Sequence, residues 1–186
     1  SHLSLSWIIL ELAIHNWSVP NEASTDLVSP RFKSSNMTPI PPHQGKNMAG
    51  IVVNGDFWAE YAKVKLREKL QVGVSYYVEF WISMPVYYSR KKPIPTFLNE
   101  HFGVRFDKDL YFADKRIITA EPQIKANAEI LVEPQQWTKV FGSFVAEEES
   151  QYLYLGQFLS TGPEPPISVG YFLIDDIYVE SFRSEA

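Results

Sequence analysis

Ser75-Tyr76-Tyr77-Val78-Glu79-Phe80-Trp81-Ile82-Ser83-Met84 reads as one continuous strand. Tyr76, Val78, Phe80, Ile82 and Met84 fall on one side, with Tyr77, Glu79, Trp81 and Ser83 on the other, the two-residue period of a pleated segment that buries one face. Its length and its aromatic and β-branched content mark it as a central strand. Upstream, beyond a Val72-Gly73 turn, the stretch from Ala59 carries the same signal, with Ala62, Val64 and Leu66 alternating with Tyr61, Lys63, Lys65 and Arg67. Segments of the same character recur at Met48 to Val53, Phe102 to Phe106, Gln136 to Ala146, Gln151 to Leu159 and Gly170 to Phe182. Between them stand Pro39 to Pro42, Asn54-Gly55-Asp56, Pro93 to Pro95 and Gly162-Pro163-Glu164-Pro165-Pro166, which favour turns and cannot sit inside helices. The pattern predicts an all-β fold: an antiparallel two-sheet β-sandwich, or jelly roll, with residues 1–186 as a single domain. Long loops are expected at Ser18 to Asn47, Pro85 to His101 and Asp107 to Pro134, where binding surfaces tend to lie on a β scaffold.

Composition narrows the function. Twelve Phe, ten Tyr and five Trp supply ample apolar surface for a core, which excludes a disordered chain. Seventeen Lys and Arg stand against 22 Asp and Glu, and a net charge of -5 argues against nucleic acid as a partner, because phosphate binding needs clustered positive charge. Arg90-Lys91-Lys92 is the one basic run, and it reads as solvated surface. With no cysteine there is neither a disulfide frame nor a thiolate metal site. Trp7-Ile8-Ile9-Leu10 is apolar, but no cationic start precedes it and Glu11 interrupts it, so it does not read as a signal peptide. No apolar run reaches membrane-spanning length.

Two stretches carry a resemblance. The first runs Pro42-His43-Gln44-Gly45-Lys46-Asn47-Met48-Ala49-Gly50-Ile51-Val52, then Glu60-Tyr61, Val64-Lys65-Leu66, Leu70, Gly73 and Tyr76 to Phe80. The second is Trp137-Thr138-Lys139-Val140-Phe141-Gly142-Ser143-Phe144, then Tyr152-Leu153, Gly156-Gln157-Phe158 and Tyr171-Phe172-Leu173-Ile174-Asp175-Asp176-Ile177-Tyr178-Val179. In this order they resemble the jelly-roll domain of Bacteroidetes cell-envelope proteins that often sits beside OmpA-type peptidoglycan-associated domains. The aromatic-Ile-Asp-Asp-Ile ending is also similar to carbohydrate-binding modules with a galactose-binding-like jelly roll. The resemblance implies an exported, non-catalytic module of the periplasm, outer membrane or cell surface, with a glycan or envelope polysaccharide as ligand. A structural spacer or protein-interaction domain is the alternative. Related modules open with a strand that helps hold a structural calcium; Ser4 to Glu11 departs from that pattern.

Asp175 and Asp176 interrupt an apolar strand, and a buried carboxylate needs partners. They are candidate calcium ligands; alternatively, the inward carboxylate accepts backbone N–H bonds that tie two loops together. Trp17, Trp58, Tyr87, Tyr88 and Tyr111, all beside loops, are candidate sugar-stacking rings, with packing as the competing role. Trp81 and Trp137 are expected in the core. No catalytic set emerges. Gly73-Val74-Ser75-Tyr76-Tyr77 lacks the last glycine of a nucleophile elbow, and His2, His15, His43 and His101 lack metalloprotease spacing. Glu100-His101 with Asp107 and Asp109 would make an acid/base group only if folding gathered them, the basis of a third reading as a small hydrolase.

Overall fold

The computed structural model describes residues 8–10, 17–19, 25–29, 37–38, 40–54, 58–89, 92–94, 101–108, 117–126, 133–159 and 169–182. Every regular element among them is a strand: β1 (Ile8–Leu10), β2 (Trp17–Ser18), β3 (Asp26–Val28), β4 (Met48–Asn54), β5 (Trp58–Ala59), β6 (Tyr61–Lys65), β7 (Ser75–Ser83), β8 (Tyr87–Ser89), β9 (Lys92–Ile94), β10 (Phe102–Asp107), β11 (Ile118–Thr119), β12 (Ile124–Lys125), β13 (Thr138–Val145), β14 (Tyr152–Leu159) and β15 (Val169–Phe182). A seven-stranded sheet runs β13-β7-β15-β4-β3, with β1 added on β15 and β5 on β4. A six-stranded sheet runs β12-β10-β14-β6-β2, with β11 joining β14 in parallel, and β8 and β9 form a separate ribbon. All other strand pairings are antiparallel, as the sandwich reading expects.

The alternation of β7 decides which side faces inward. Tyr76, Val78, Phe80 and Ile82 are buried, and Tyr77, Glu79 and Trp81 look away from the core. Opposite them the six-stranded sheet contributes Ala62, Val64, Phe102, Val104, Phe106, Leu153 and Leu155. Rings meet across the gap: Phe102 lies 5.1 Å from Phe172, and Phe106 lies 5.1 Å from Phe144. Each buried Phe contributes roughly 1.5–3 kcal/mol of transfer free energy, so this interior is the main source of stability.

The stretch expected as one strand from Ala59 is divided. The chain leaves the seven-stranded sheet at Ala59 and joins the six-stranded one at Tyr61, and Glu60 is the corner. Its N–H donates to Val52 O at 3.0 Å, while its buried carboxylate accepts from Val52 N–H at 2.8 Å. The expected long loops hold strands as well: β3 lies in the first, β8 and β9 in the second, β11 and β12 in the third. At two or three residues these are too short for a period to show in sequence, and only pairing with a longer neighbour defines them.

A second, smaller core lies on the outer side of the seven-stranded sheet. Val28, Met37, Ile40, Met48, Tyr171 and Leu173 cluster there with Val52 and Trp137, so the segment approaching β4 shields one half of that outer face. Tyr171 passes directly over Gly50, where an added Cβ would lie 1.9 Å from the phenol oxygen, and its hydroxyl donates to Asp26 Oδ2 at 2.8 Å.

Candidate functional site

The site begins with a fault in the period of β15. Phe172 and Ile174 point into the sandwich; regular alternation would send Asp176 after them. Instead Asp175 pairs with Trp81 and Tyr178 with Glu79, so that Asp176 and Ile177 together face Phe80. This is a β-bulge, and Asp176 takes the left-handed conformation at φ 47°, which a short polar side chain tolerates better than most. The extra residue resets the phase: Ile177 and Val179 rejoin the core, and Tyr178 and Glu180 turn outward.

The two aspartates anchor the segment that crosses the outer face. Asp175 Oδ2 accepts the backbone N–H groups of His43 at 2.9 Å and Gln44 at 3.2 Å, and Oδ1 accepts that of Asp176 at 2.9 Å. Burial raises the Asp175 carboxyl above the usual aspartate range; the three N–H donors oppose that rise without cancelling it. Asp176 Oδ2 meets His43 Nδ1 directly. The imidazole lies flat on Trp81, centroids 3.9 Å apart and planes at 19°, with Trp137 edge-on at 5.9 Å. Trp137 is in turn held by its Nε1–H, which donates to Pro41 O at 3.0 Å. The carboxylate lone pairs are thus directed at N–H groups and an imidazole instead of converging on a point where a calcium ion would sit, and among the described residues no group of three or more His, Asp or Glu is gathered for a metal. The set does not fit calcium.

Beyond His43 the outer face is open. Its cross-strand register places Lys139, Trp81 and Asp175 in one row, Phe141, Glu79 and Tyr178 in the next, then Ser143, Tyr77 and Glu180, then Val145, Ser75 and Phe182. Phe141, Val145 and Phe182 are 58%, 56% and 41% exposed, high values for large apolar side chains. Tyr77 lies 6.3 Å from Phe141 and 6.4 Å from Tyr178, so three rings adjoin across three strands. Polar groups are interleaved with them. Tyr77 donates its hydroxyl proton to Glu79 Oε2 at 2.6 Å, and Lys139 Nζ reaches the same oxygen at 3.1 Å. Lys139 Nζ also lies 6.0 Å from the Trp81 centroid and 5.7 Å from that of Phe141. Tyr178 hydrogen-bonds Glu180, and both phenols are pushed up to about 12, by desolvation first and then by the adjacent carboxylates.

The residues singled out in the sequence are dispersed. Trp17 lies on β2 in the six-stranded sheet, Trp58 on β5 in the seven-stranded one, and Tyr87 and Tyr88 on the β8–β9 ribbon. Tyr111, Glu100 and Asp109 lie outside the described residues. His101 and Asp107 stand at opposite ends of β10, about 20 Å apart at some 3.3 Å per residue, so they share no acid/base centre. Asp107 instead pairs with Arg105 at 2.8 Å, beside a groove of about 670 Å³ lined by Arg105, Glu121, Gln123, Phe144, Val145 and Ser150 among others. Trp81 and Trp137 are not in the inter-sheet core: both are half-buried on the outer side. For Trp81 the signal was present, since the alternation of β7 sets it beside Tyr77 and Glu79. His43, Lys139 and Phe141 gave no comparable signal, because their association depends on which strands become neighbours.

No family model and no curated protein matches the chain. Solved structures do share its fold, a β-sandwich found in a carbohydrate-binding module and in cyclases. Among them are the apo form of a cyclase from Fischerella sp. (10% identity, 100% of this chain and 91% of that one, TM-score 0.56) and a Stig cyclase from Fischerella sp. TAU in complex with an indole compound (12%, 99% and 93%, TM-score 0.55). A third is the C-terminal family 22 carbohydrate binding module of Clostridium thermocellum Xyn10B, in which cleft residues act in ligand binding (11%, 95% and 91%, TM-score 0.50). Identities this low establish the shared fold and leave function to the site.

Proposed function

We propose that the chain is a non-catalytic binding module that lays a glycan across the open outer face of β13, β7 and β15. One observation carries this reading: Phe141, Tyr77 and Tyr178 adjoin on an exposed sheet face and are interleaved with Glu79, Lys139 and Glu180. Flat rings pack against sugar faces, and the polar groups between them can meet sugar hydroxyls. The sandwich shared with a carbohydrate-binding module is consistent with this role. The resemblance described above extends the proposal to a single jelly-roll unit of an exported envelope or surface protein of the Bacteroidetes type, neighbouring an OmpA-type domain.

A glycan array followed by calorimetry on the hits tests the reading. Phe141→Ala and Tyr178→Ala should each weaken binding about tenfold, the equivalent of 1.4 kcal/mol, with the thermal midpoint nearly unchanged. Uniformly absent binding by the folded protein would sink it. The exposed Phe141, Val145 and Phe182 favour a second reading, an envelope spacer or protein-interaction domain. In that case crosslinking in the native envelope captures a protein at this face while sugars fail to compete. The cyclase neighbours motivate a third arm, a turnover screen in which activity lost on His43→Ala would replace the binding reading with a catalytic one.

A further inference from the structure

We infer that the glycan recognised on this face is an amine-bearing one, a polysaccharide with free, protonated 2-amino groups. The inference rests on the glycan reading above and adds the chemistry of the ligand. The face already holds one ammonium group, its own: Lys139 Nζ sits 6.0 Å from the Trp81 ring, 5.7 Å from the Phe141 ring and 3.1 Å from Glu79 Oε2. Ring faces plus a carboxylate are the environment in which a ligand cation is stabilised. The same elements continue along the face. Tyr178 and Glu180 lie on β15 beside Tyr77, and Glu79 and Glu180 are diagonal neighbours across β7 and β15, about 7–8 Å apart.

Donor and acceptor placement points the same way. Tyr77 commits its proton to Glu79, and Tyr178 bonds Glu180, so the phenol and carboxylate oxygens present lone pairs outward. Both phenols are pushed up to about 12, by desolvation first, with the adjacent carboxylates adding to the rise. Among the described residues, this open part of the face sets one ammonium, Lys139, against the carboxylates of Glu79 and Glu180. Asp176 adds no positive charge and is engaged with His43. The chain as a whole carries -5. An anionic glycan would meet like charge at both levels, whereas an aminoglycan finds a carboxylate beside a ring.

Calorimetry on the intact chain, at a pH where the sugar amine is protonated, compares three probes of equal length: a fully deacetylated chitosan oligomer, its N-acetylated counterpart, and an oligogalacturonate. The chitosan oligomer should bind about tenfold tighter than the acetylated one, lose that margin in high salt, and bind no tighter than the acetylated one in the Glu79→Gln/Glu180→Gln double variant. Oligogalacturonate should not bind. Equal or tighter binding of the acetylated oligomer, or any binding of the uronate, overturns the amine assignment while leaving the glycan reading in place. If none of the three binds and the glycan array is also blank, both fall. Self-association abolished by Phe141→Ala would assign the face to a second copy and overturn the inference.

Discussion

At the scale of single residues, Asp176 and Glu79 carry the sharpest expectations. Asp176 sits in the left-handed region, so Asp176→Val should cost about 1–3 kcal/mol through the clash of a β-branched side chain with that backbone. Asp176→Asn, which tolerates the same geometry, should cost less than about 1 kcal/mol. Denaturant unfolding at neutral pH compares the two, and equal losses would mean that the His43 contact matters more than the backbone. Glu79 acts on its neighbour. Spectrophotometric titration should find the Tyr77 phenol near 12 and Glu79→Gln should move it back toward 10. A phenol whose folded value is raised contributes stability that is present below pH 10 and lost as pH climbs through 12. The variant should therefore flatten the alkaline limb of the stability curve. The place of the bulge was visible in the chain as two carboxylates, Asp175 and Asp176, interrupting an apolar strand. Which partner the carboxylates would find was not, because His43 lies 132 residues from Asp175 and nothing local links them.

Among elements, legibility tracked length. β7, β13, β14 and β15 run eight to fourteen residues, enough for each to be read as a strand, and in β7 the alternation also marks the inward side. β2, β5, β11 and β12 have two residues each and no period to read. The outer face was harder still. A sandwich strand is read as one wet side and one dry side, yet Tyr171 and Leu173 on the outer side of β15 are buried in a cluster with Met37 and Ile40. That cover depends on close passage at Gly50. Gly50→Ala should displace the Tyr171 ring, break its bond to Asp26 and cost about 1–3 kcal/mol. Chemical denaturation reads the loss, and a neutral result would show that the cover can shift freely.

For the molecule as a whole, β15 is the keel. It lies between β7 on one side and β4 followed by β1 on the other, so most of the seven-stranded sheet is assembled through it. A chain ending before Val169 should fail to fold: circular dichroism should lose its β signal and the cooperative thermal transition should vanish, whereas a sharp transition would assign the core to the remaining strands. Such pairing of distant segments predicts slow folding, since large loops must close before the sheet is rewarded. The bulge then has a consequence for how this sequence can change. Removing one codon at Asp176 would leave Ile177 alone opposite Phe80 and keep the phase, with Ile177 and Val179 still inward and Tyr178 and Glu180 still outward, whereas removing one beyond the bulge would invert the residues that follow it. At Asp176 the last strand can therefore lose a residue and forfeit only the anchor to His43, but a change of length by one beyond it would scramble the inside–outside code, so variation past the bulge must proceed by replacement.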